Sequence, residues 1–134
     1  MNIPETIKPD ELRPLLRSLK ETEGFTCLMC VTAVDRMAEN RIEALYFLCS
    51  DDNRKRREVR VGLDRTEPRV PTVCDLFRAA EWHEREAAEM FGITFTDHPD
   101  PRRLLLPDEV RGFPLRKDFK DDFLIPLPAG RKEE

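Results

Sequence analysis

Residues 8–22, KPDELRPLLRSLKET, place Leu12, Leu15, Leu16 and Leu19 at helical spacing. The pattern predicts an N-terminal helix with Asp10 as its cap, Gly24 as its stop and Pro14 held to the first turn. The period then changes. FTCLMCVTAVD (25–35) and RIEALYFLCS (41–50) are rich in β-branched, aromatic and sulfur side chains, and the polar RMAEN between them predicts a hairpin. Neither strand alternates. Leu45, Phe47 and Cys49 point one way and Ala44, Tyr46 and Leu48 the other, so both faces of the hairpin are expected to be covered. REVRVGLD (57–64) does alternate, with Val59, Val61 and Leu63 on one face and Glu58 and Arg60 on the other, as in a strand with one wet side. The prolines of RTEPRVPT permit only a loop or an edge strand.

VCDLFRAAEWHEREAAEMFG (73–92) is helical in texture, with Trp82, Glu86 and Met90 at i, i+4 and i+8 and Gly92 placed as a C-cap; it reads as one helix or as two short ones broken near Ala79 and Ala80. From Pro99 onward the texture is extended, and six of the eleven prolines lie there. The expected fold is α+β: a small mixed or antiparallel sheet of three or more strands, an N-terminal and a central helix, and an extended Pro-rich tail. The expected division is an α/β domain over 1–106 and a tail over 107–134 that docks on a partner. Residues 120–134, which have few apolar groups and no period, are expected to be mobile in the isolated chain.

Length and charge narrow the functional classes. A chain of 134 residues fits one domain. With 27 acidic residues against 23 basic ones the net charge is −4, which provides no cationic field for a nucleic acid. No apolar run approaches the roughly 20 residues of a spanning helix, and the N-terminus lacks the layout of a signal peptide, so no direct membrane insertion is expected. Cys27, Cys30, Cys49 and Cys74 sit in apolar runs and are expected to be core residues without disulfides.

The chemistry-bearing stretch is EWHEREAAE, in which His83 is surrounded by Glu81, Glu84, Glu86 and Glu89. A di-iron bundle would need two Glu-x-x-His pairs, and a metalloprotease would need His where Ala87 stands. CLMC, Cys27 to Cys30, lies within a predicted strand, where alternation sends the two sulfurs to opposite faces, and a second such pair for a zinc or iron-sulfur site is missing. A phosphate-binding glycine loop and a nucleophile elbow are also missing. Arg85, Arg102, Arg103, Arg116 and Lys117 are instead expected to pair with the helix carboxylates in an ion-pair framework. Another class of protein, a free-standing metal-binding or redox protein, would use Cys27, Cys30, His83 and Glu86.

EREAAEMFGITFTDHPDPRRLL (84–105) followed by GFPLRKDF (112–119) resembles the signature of the 30-kDa (C) subunit family of respiratory complex I. The elements that carry it are Glu84, Arg85, Glu86, Glu89, Met90, Phe91, His98, Arg102, Leu104 and Leu105. Ala88-Glu89 departs from the Tyr-Asp of many members, and the likeness extends loosely over 25–119. The resemblance implies a structural subunit of the hydrophilic arm of an NADH:quinone oxidoreductase, peripheral on the cytoplasmic face of the membrane and without a cofactor of its own, while FMN, iron-sulfur clusters and quinone belong to the complex. It implies a 49-kDa-type (D) subunit and a cluster-bearing (B) subunit as partners. It further implies an interface made of the signature residues with Arg103, Pro114, Leu115, Arg116, Lys117 and Asp118. The same motif serves in membrane-bound hydrogenases and in oxidoreductases fed by ferredoxin, F420H2 or formate.

Overall fold

The computed structural model describes residues 5–120. Strand β1 (Thr6–Ile7) leads into helix α1 (Pro9–Glu21); strands β2 (Cys27–Arg36), β3 (Arg41–Cys49) and β4 (Arg56–Asp64) follow, then β5 (Arg69–Pro71), helix α2 (Ala80–Phe91) and β6 (Thr94–Thr96). The four-stranded sheet runs β1-β4-β3-β2, with antiparallel pairs apart from the parallel β1–β4, and β5 and β6 form a separate parallel pair. The fold is α+β with a mixed sheet, as its sequence pattern predicts. The two-residue β1 has no sequence signal.

Helix α1 buries Leu12, Leu16 and Leu19. Its cap is Lys8 and not Asp10: the Glu11 carboxylate accepts the Lys8 backbone N–H at 2.8 Å, and Pro9 takes the first helical position. Pro14 consequently falls in the helix interior rather than the first turn. It lies on the exposed side, where water can serve the Asp10 carbonyl that it leaves without a helical donor. Gly24, at φ +77°, ends the helix as expected and lets the Phe25 N–H return to the Leu19 carbonyl at 3.0 Å.

Leu12, Leu16 and Leu19 of α1 and Ala80, Ala87 and Phe91 of α2 pack with Leu28, Val31, Ala33, Ile42, Ala44, Tyr46, Leu48, Val59, Val61 and Leu63 of the sheet in one core. The outer face of the sheet is built differently. Its rows across β2, β3 and β4 read Cys27–Cys49–Arg56, Cys30–Phe47–Glu58, Thr32–Leu45–Arg60 and Val34–Glu43–Gly62. Among the described residues no helix belongs to this face, yet Leu45, Cys49 and Glu43 are buried. Arginine stems cover it: Arg36, Arg41 and Arg60 approach the Glu43 carboxylate to 3.6, 2.7 and 3.4 Å. One face of the hairpin is thus covered by helices; the other is closed by side chains of the sheet around Glu43 and Leu45, while Cys27 is exposed and Cys30, Thr32, Val34 and Phe47 are half-buried.

A bulge at Met29 shifts the β2–β3 register, Leu28 pairing with Leu48 and Cys30 with Phe47. The extra residue reverses the alternation expected for CLMC. Cys27 and Cys30 both face outward, and Cys27 is exposed rather than a core residue.

Candidate functional site

The stretch 73–92 is broken near Ala79 and Ala80, as the second of the two readings had it, but only its second part is a helix. Val73–Phe77 forms a separate turn, with Phe77 N–H to Val73 O at 2.9 Å, and the helix starts at Ala80. It ends where expected, at Gly92 in the left-handed region with φ +78°. Trp82 and Glu86 of the 82/86/90 stripe are exposed and Met90 is half-buried; the buried residues are Ala80, Glu84, Ala87, Glu89 and Phe91. Two carboxylates therefore lie buried on different sides of the helix, Glu84 on the core side with Ala80, Ala87 and Phe91 and Glu89 on the side turned to the tail, and their partners define the site.

Glu84 is fully buried. Its carboxylate accepts the Thr72 hydroxyl at 2.5 Å, the Val73 N–H at 2.9 Å and the Cys74 thiol at 3.2 Å. Burial pushes Glu84 above the usual carboxylate range, against the opposing pull of these donors. Burial likewise pushes the Cys74 thiol up to about 12. His98 lies beside them, its Nε2 3.7 Å from Glu84 Oε2. The imidazole is used on both sides, Nε2 donating to the Glu81 carbonyl at 3.1 Å and Nδ1 accepting the Asp100 N–H at 3.0 Å. Ligand atoms of Cys74, Glu84 and His98 all lie within 4.8 Å of one another, a spacing a cation could bridge. Their lone pairs and protons are, however, committed to one another and to the backbone, and a metal would have to displace a thiol proton held at high pKa. The cluster works as a hydrogen-bond knot that ties α2 to β5 and to the loop after β6.

Glu89 holds the tail. Its carboxylate accepts backbone N–H groups from Leu104 (2.6 Å), Leu105 (2.8 Å) and Leu106 (3.2 Å), a nest of amides around one buried charge. Arg85 adds to the clamp, Nε donating to the Arg102 carbonyl at 3.0 Å and a terminal nitrogen to the Arg103 carbonyl at 3.1 Å, with Asp100 at 3.6 Å. Arg103 in turn donates to the Pro107 and Val110 carbonyls. Arg102 pairs with Asp100, not with a helix carboxylate. Arg116 donates to the Phe91 carbonyl at 2.7 Å and lies over the Phe113 ring.

The expected ion-pair framework between helix carboxylates and downstream arginines is therefore not what forms. Glu84 and Glu89 are satisfied by hydroxyl, thiol and amide donors, while Arg85, Arg103 and Arg116 cap carbonyls and Arg102 pairs with Asp100 of its own loop. The reason is burial: a carboxylate at a helix–loop junction is served by backbone N–H groups that need an acceptor anyway, without the desolvation of a second charge.

A second anchor carried no sequence signal. Arg65 grips the buried Asp35 with two bonds (2.8 and 3.0 Å) and reaches Asp118 at 2.8 Å, and Asp35 also accepts the Lys117 N–H at 2.9 Å. The guanidinium of Arg65 holds Asp35 down at about 2. Thr72, Cys74 and Asp35 are residues that sequence reasoning missed; their strand or loop setting gave no hint of polar partners.

The signature residues are thus brought together as an intramolecular clasp. Beside the charged Glu86 and Lys117, large apolar groups are left outside: Trp82 is 58% exposed, Leu105 61% and Leu115 53%, with Phe113 close before Leu115 in sequence. Pro114 is half-buried, and Leu115 is tied by its N–H to the Met90 carbonyl at 3.0 Å, so its side chain is held outward by a fixed backbone. His83 and Glu86 sit on α2 apart from the buried cluster, and their proposed companions Cys27 and Cys30 lie on the outer face of the sheet. The expected mobility of residues 120–134 falls, apart from Lys120, outside the described residues.

The family described as respiratory-chain NADH dehydrogenase, 30 kDa subunit, matches residues 5–122. The chain is 43% identical over 121 residues to the NADH-quinone oxidoreductase (C) subunit of Moorella thermoacetica, spanning 90% of this chain and 82% of that protein. It is 40% identical over 97 residues to the protein of the same name from Chloroherpeton thalassium, covering 72% of this chain but 40% of that longer protein. Among solved structures, a trypsin-resistant fragment of Nqo5 superposes with a TM-score of 0.64 at 30% identity, over 71% of this chain and 79% of the fragment. A chain of the membrane-bound sulfane sulfur reductase, an archaeal respiratory membrane complex, superposes with a TM-score of 0.78 at 26% identity over 100% of this chain and 88% of its own length.

Proposed function

Because the chain belongs to the 30 kDa subunit family of respiratory-chain NADH dehydrogenase, we propose that it is a structural subunit of the hydrophilic arm of a complex I-type NADH:quinone oxidoreductase. In this role it holds in register the subunits that carry electrons to quinone. It brings no flavin, cluster or quinone of its own, and it sits peripherally on the cytoplasmic face of the membrane; no described helix is long and apolar enough to cross one. The observation that carries the reading is the division of labour in the clasp. Its polar groups on Glu84, Arg85, Glu89, His98, Arg102, Arg103, Arg116 and Asp118, with the backbone N–H of Lys117, are spent inside the chain, while Trp82, Leu105, Phe113 and Leu115 are left large, apolar and exposed on a braced backbone. Exposed aromatic and aliphatic groups held rigid are the anchors of a protein interface. The proposed partner for this face is a 49-kDa-type (D) subunit, with the cluster-bearing (B) subunit adjoining.

The test is co-purification from source membranes. Leu115→Asp and Trp82→Glu each change an exposed group, so the fold read by circular dichroism stays as in the parent chain while recovery of the 49-kDa-type companion falls at least roughly tenfold, the worth of one lost apolar anchor. Undiminished recovery in both variants refutes the assignment of the face. A second reading, the equivalent subunit of a hydrogenase-like or sulfur-reducing respiratory complex, is favoured by the full-length superposition on the sulfane sulfur reductase chain. NADH-dependent quinone reduction by the purified complex supports the first; hydrogen evolution or sulfane sulfur reduction without it supports the second.

A further inference from the structure

On the outer face of the sheet the row nearest the open end of the hairpin is Cys27–Cys49–Arg56, one residue from each of three adjacent strands. Cys27 and Cys49 are direct partners in the antiparallel ladder and both are free thiols. Residues opposite one another in such a ladder have Cα atoms about 4.5–5.5 Å apart, inside the window of about 4.4–6.8 Å that a disulfide spans. The bulge at Met29 creates this arrangement, because it returns the strand to the register in which Cys27 meets Cys49 and puts Cys30 on the same face one row away. We infer that Cys27 and Cys49 form a dithiol site that takes low-molecular-weight disulfides and is converted by them to a cross-strand protein disulfide.

The two cysteines are unequal in a way that orders the steps. Cys27 is exposed and open to a small molecule; Cys49 is 7% exposed and lies behind it. Burial, and next the adjoining Cys27 thiol, push the Cys49 thiol up, while Arg56 beside it pulls the other way. The Cys27 thiolate attacks the small disulfide, breaking its S–S bond, forming a mixed disulfide and releasing one small thiolate. The Cys49 thiolate then attacks the Cys27 sulfur, forming the Cys27–Cys49 bond and releasing the second. Two protein thiols are oxidised and one small disulfide is reduced to two thiols, with the two protein protons passing to the leaving groups. The neighbouring row explains why Cys30 is a bystander: it stands opposite Phe47, with the Glu58 carboxylate beyond, and burial, then Glu86, raise its pKa. Cys74 is held against Glu84 on the other side of the sheet.

The experiment incubates the full chain with oxidised glutathione, quenches in acid and counts thiols after unfolding, with peptide mapping. The four thiols of the chain fall to two, and the new link joins the peptides of Cys27 and Cys49. Cys30→Ser keeps the same link, with one thiol left instead of two. Cys49→Ser stops at a glutathione mixed disulfide on Cys27. A count that stays at four, a mixed disulfide that persists on Cys27 in the parent chain, or a Cys27–Cys30 link each overturns the inference.

Discussion

Replacing Glu89 by alanine removes the single acceptor of three consecutive amides. Leu104, Leu105 and Leu106 donate to it at 2.6–3.2 Å, and no other acceptor for these N–H groups is seen in the described residues. A hydrogen bond to a charged group contributes about 1.5–3 kcal/mol net. Leu104 and Leu106 are half-buried and Leu105 exposed, so water replaces part of what is lost, and about 1 kcal/mol per amide is the appropriate scale. The sum, about 3 kcal/mol, corresponds to roughly 150-fold in an opening equilibrium. The loss is local, because the sheet and α1 do not depend on this loop. Amide hydrogen exchange read residue by residue should therefore show Leu104–Leu106 exchanging about two orders of magnitude faster in Glu89→Ala, with Tyr46 and Val61 unchanged. Glu89→Gln keeps one oxygen but loses the charge assistance, so its effect falls between the two. Acceleration below about fivefold at these amides in Glu89→Ala would refute the view that the carboxylate is what holds the tail.

Three further outcomes follow from the geometry. Asp35 has its folded pKa lowered to about 2 from an unfolded value near 3.9, so it stabilises the fold by about 2 kcal/mol at neutral pH, and that contribution is lost as pH falls from about 4 through 2. Asp35→Asn should abolish this part of the acid limb in denaturation measured across that range, and an unchanged acid limb would refute it. Glu84→Ala strands the Thr72 hydroxyl, the Val73 N–H and the Cys74 thiol in a buried site and should cost about 2–4 kcal/mol in denaturant unfolding. Glu84→Gln, which still offers an oxygen acceptor, should cost less than half as much, and equal losses would contradict the knot. Gly92→Ala strains a φ of +78°, costing about 1 kcal/mol. It also sets a Cβ 2.5 Å from the Phe113 ring, so the ring must move; unchanged Phe113 side-chain chemical shifts would contradict this contact.

How far the fold could be read from the chain depended on whether local sequence or distant contact decided each element. The leucine spacing of α1, the hairpin of β2 and β3, the alternation of β4 and the Gly92 stop all come from side-chain period and backbone freedom, which are properties of short segments. The cap of α1 was misplaced because Glu11 reaches back to Lys8, a choice between neighbouring caps that composition leaves undecided. The bulge at Met29 was invisible because it depends on register against β3, and it alone decides that Cys27 and Cys30 share a face.

The candidate site divides in the same way. Residue types and spacing grouped the carboxylates of α2 with Arg85 and the downstream arginines, and the resemblance of 84–105 and 112–119 to the signature of a family of respiratory subunits added His98 to that group. Charge was a poor guide to pairing within that group. Only the tertiary structure decided that Glu84 meets Thr72, Val73 and Cys74, that Glu89 meets three backbone amides, and that Asp35 and Arg65, thirty residues apart in the chain, hold Lys117 and Asp118. The physical reason is that a buried carboxylate takes its donors from whatever backbone and side chains the fold brings to it, and desolvation favours amides and hydroxyls over a second buried charge. Sequence determines which groups must be satisfied; the packing of α2 against the loops around it determines by what.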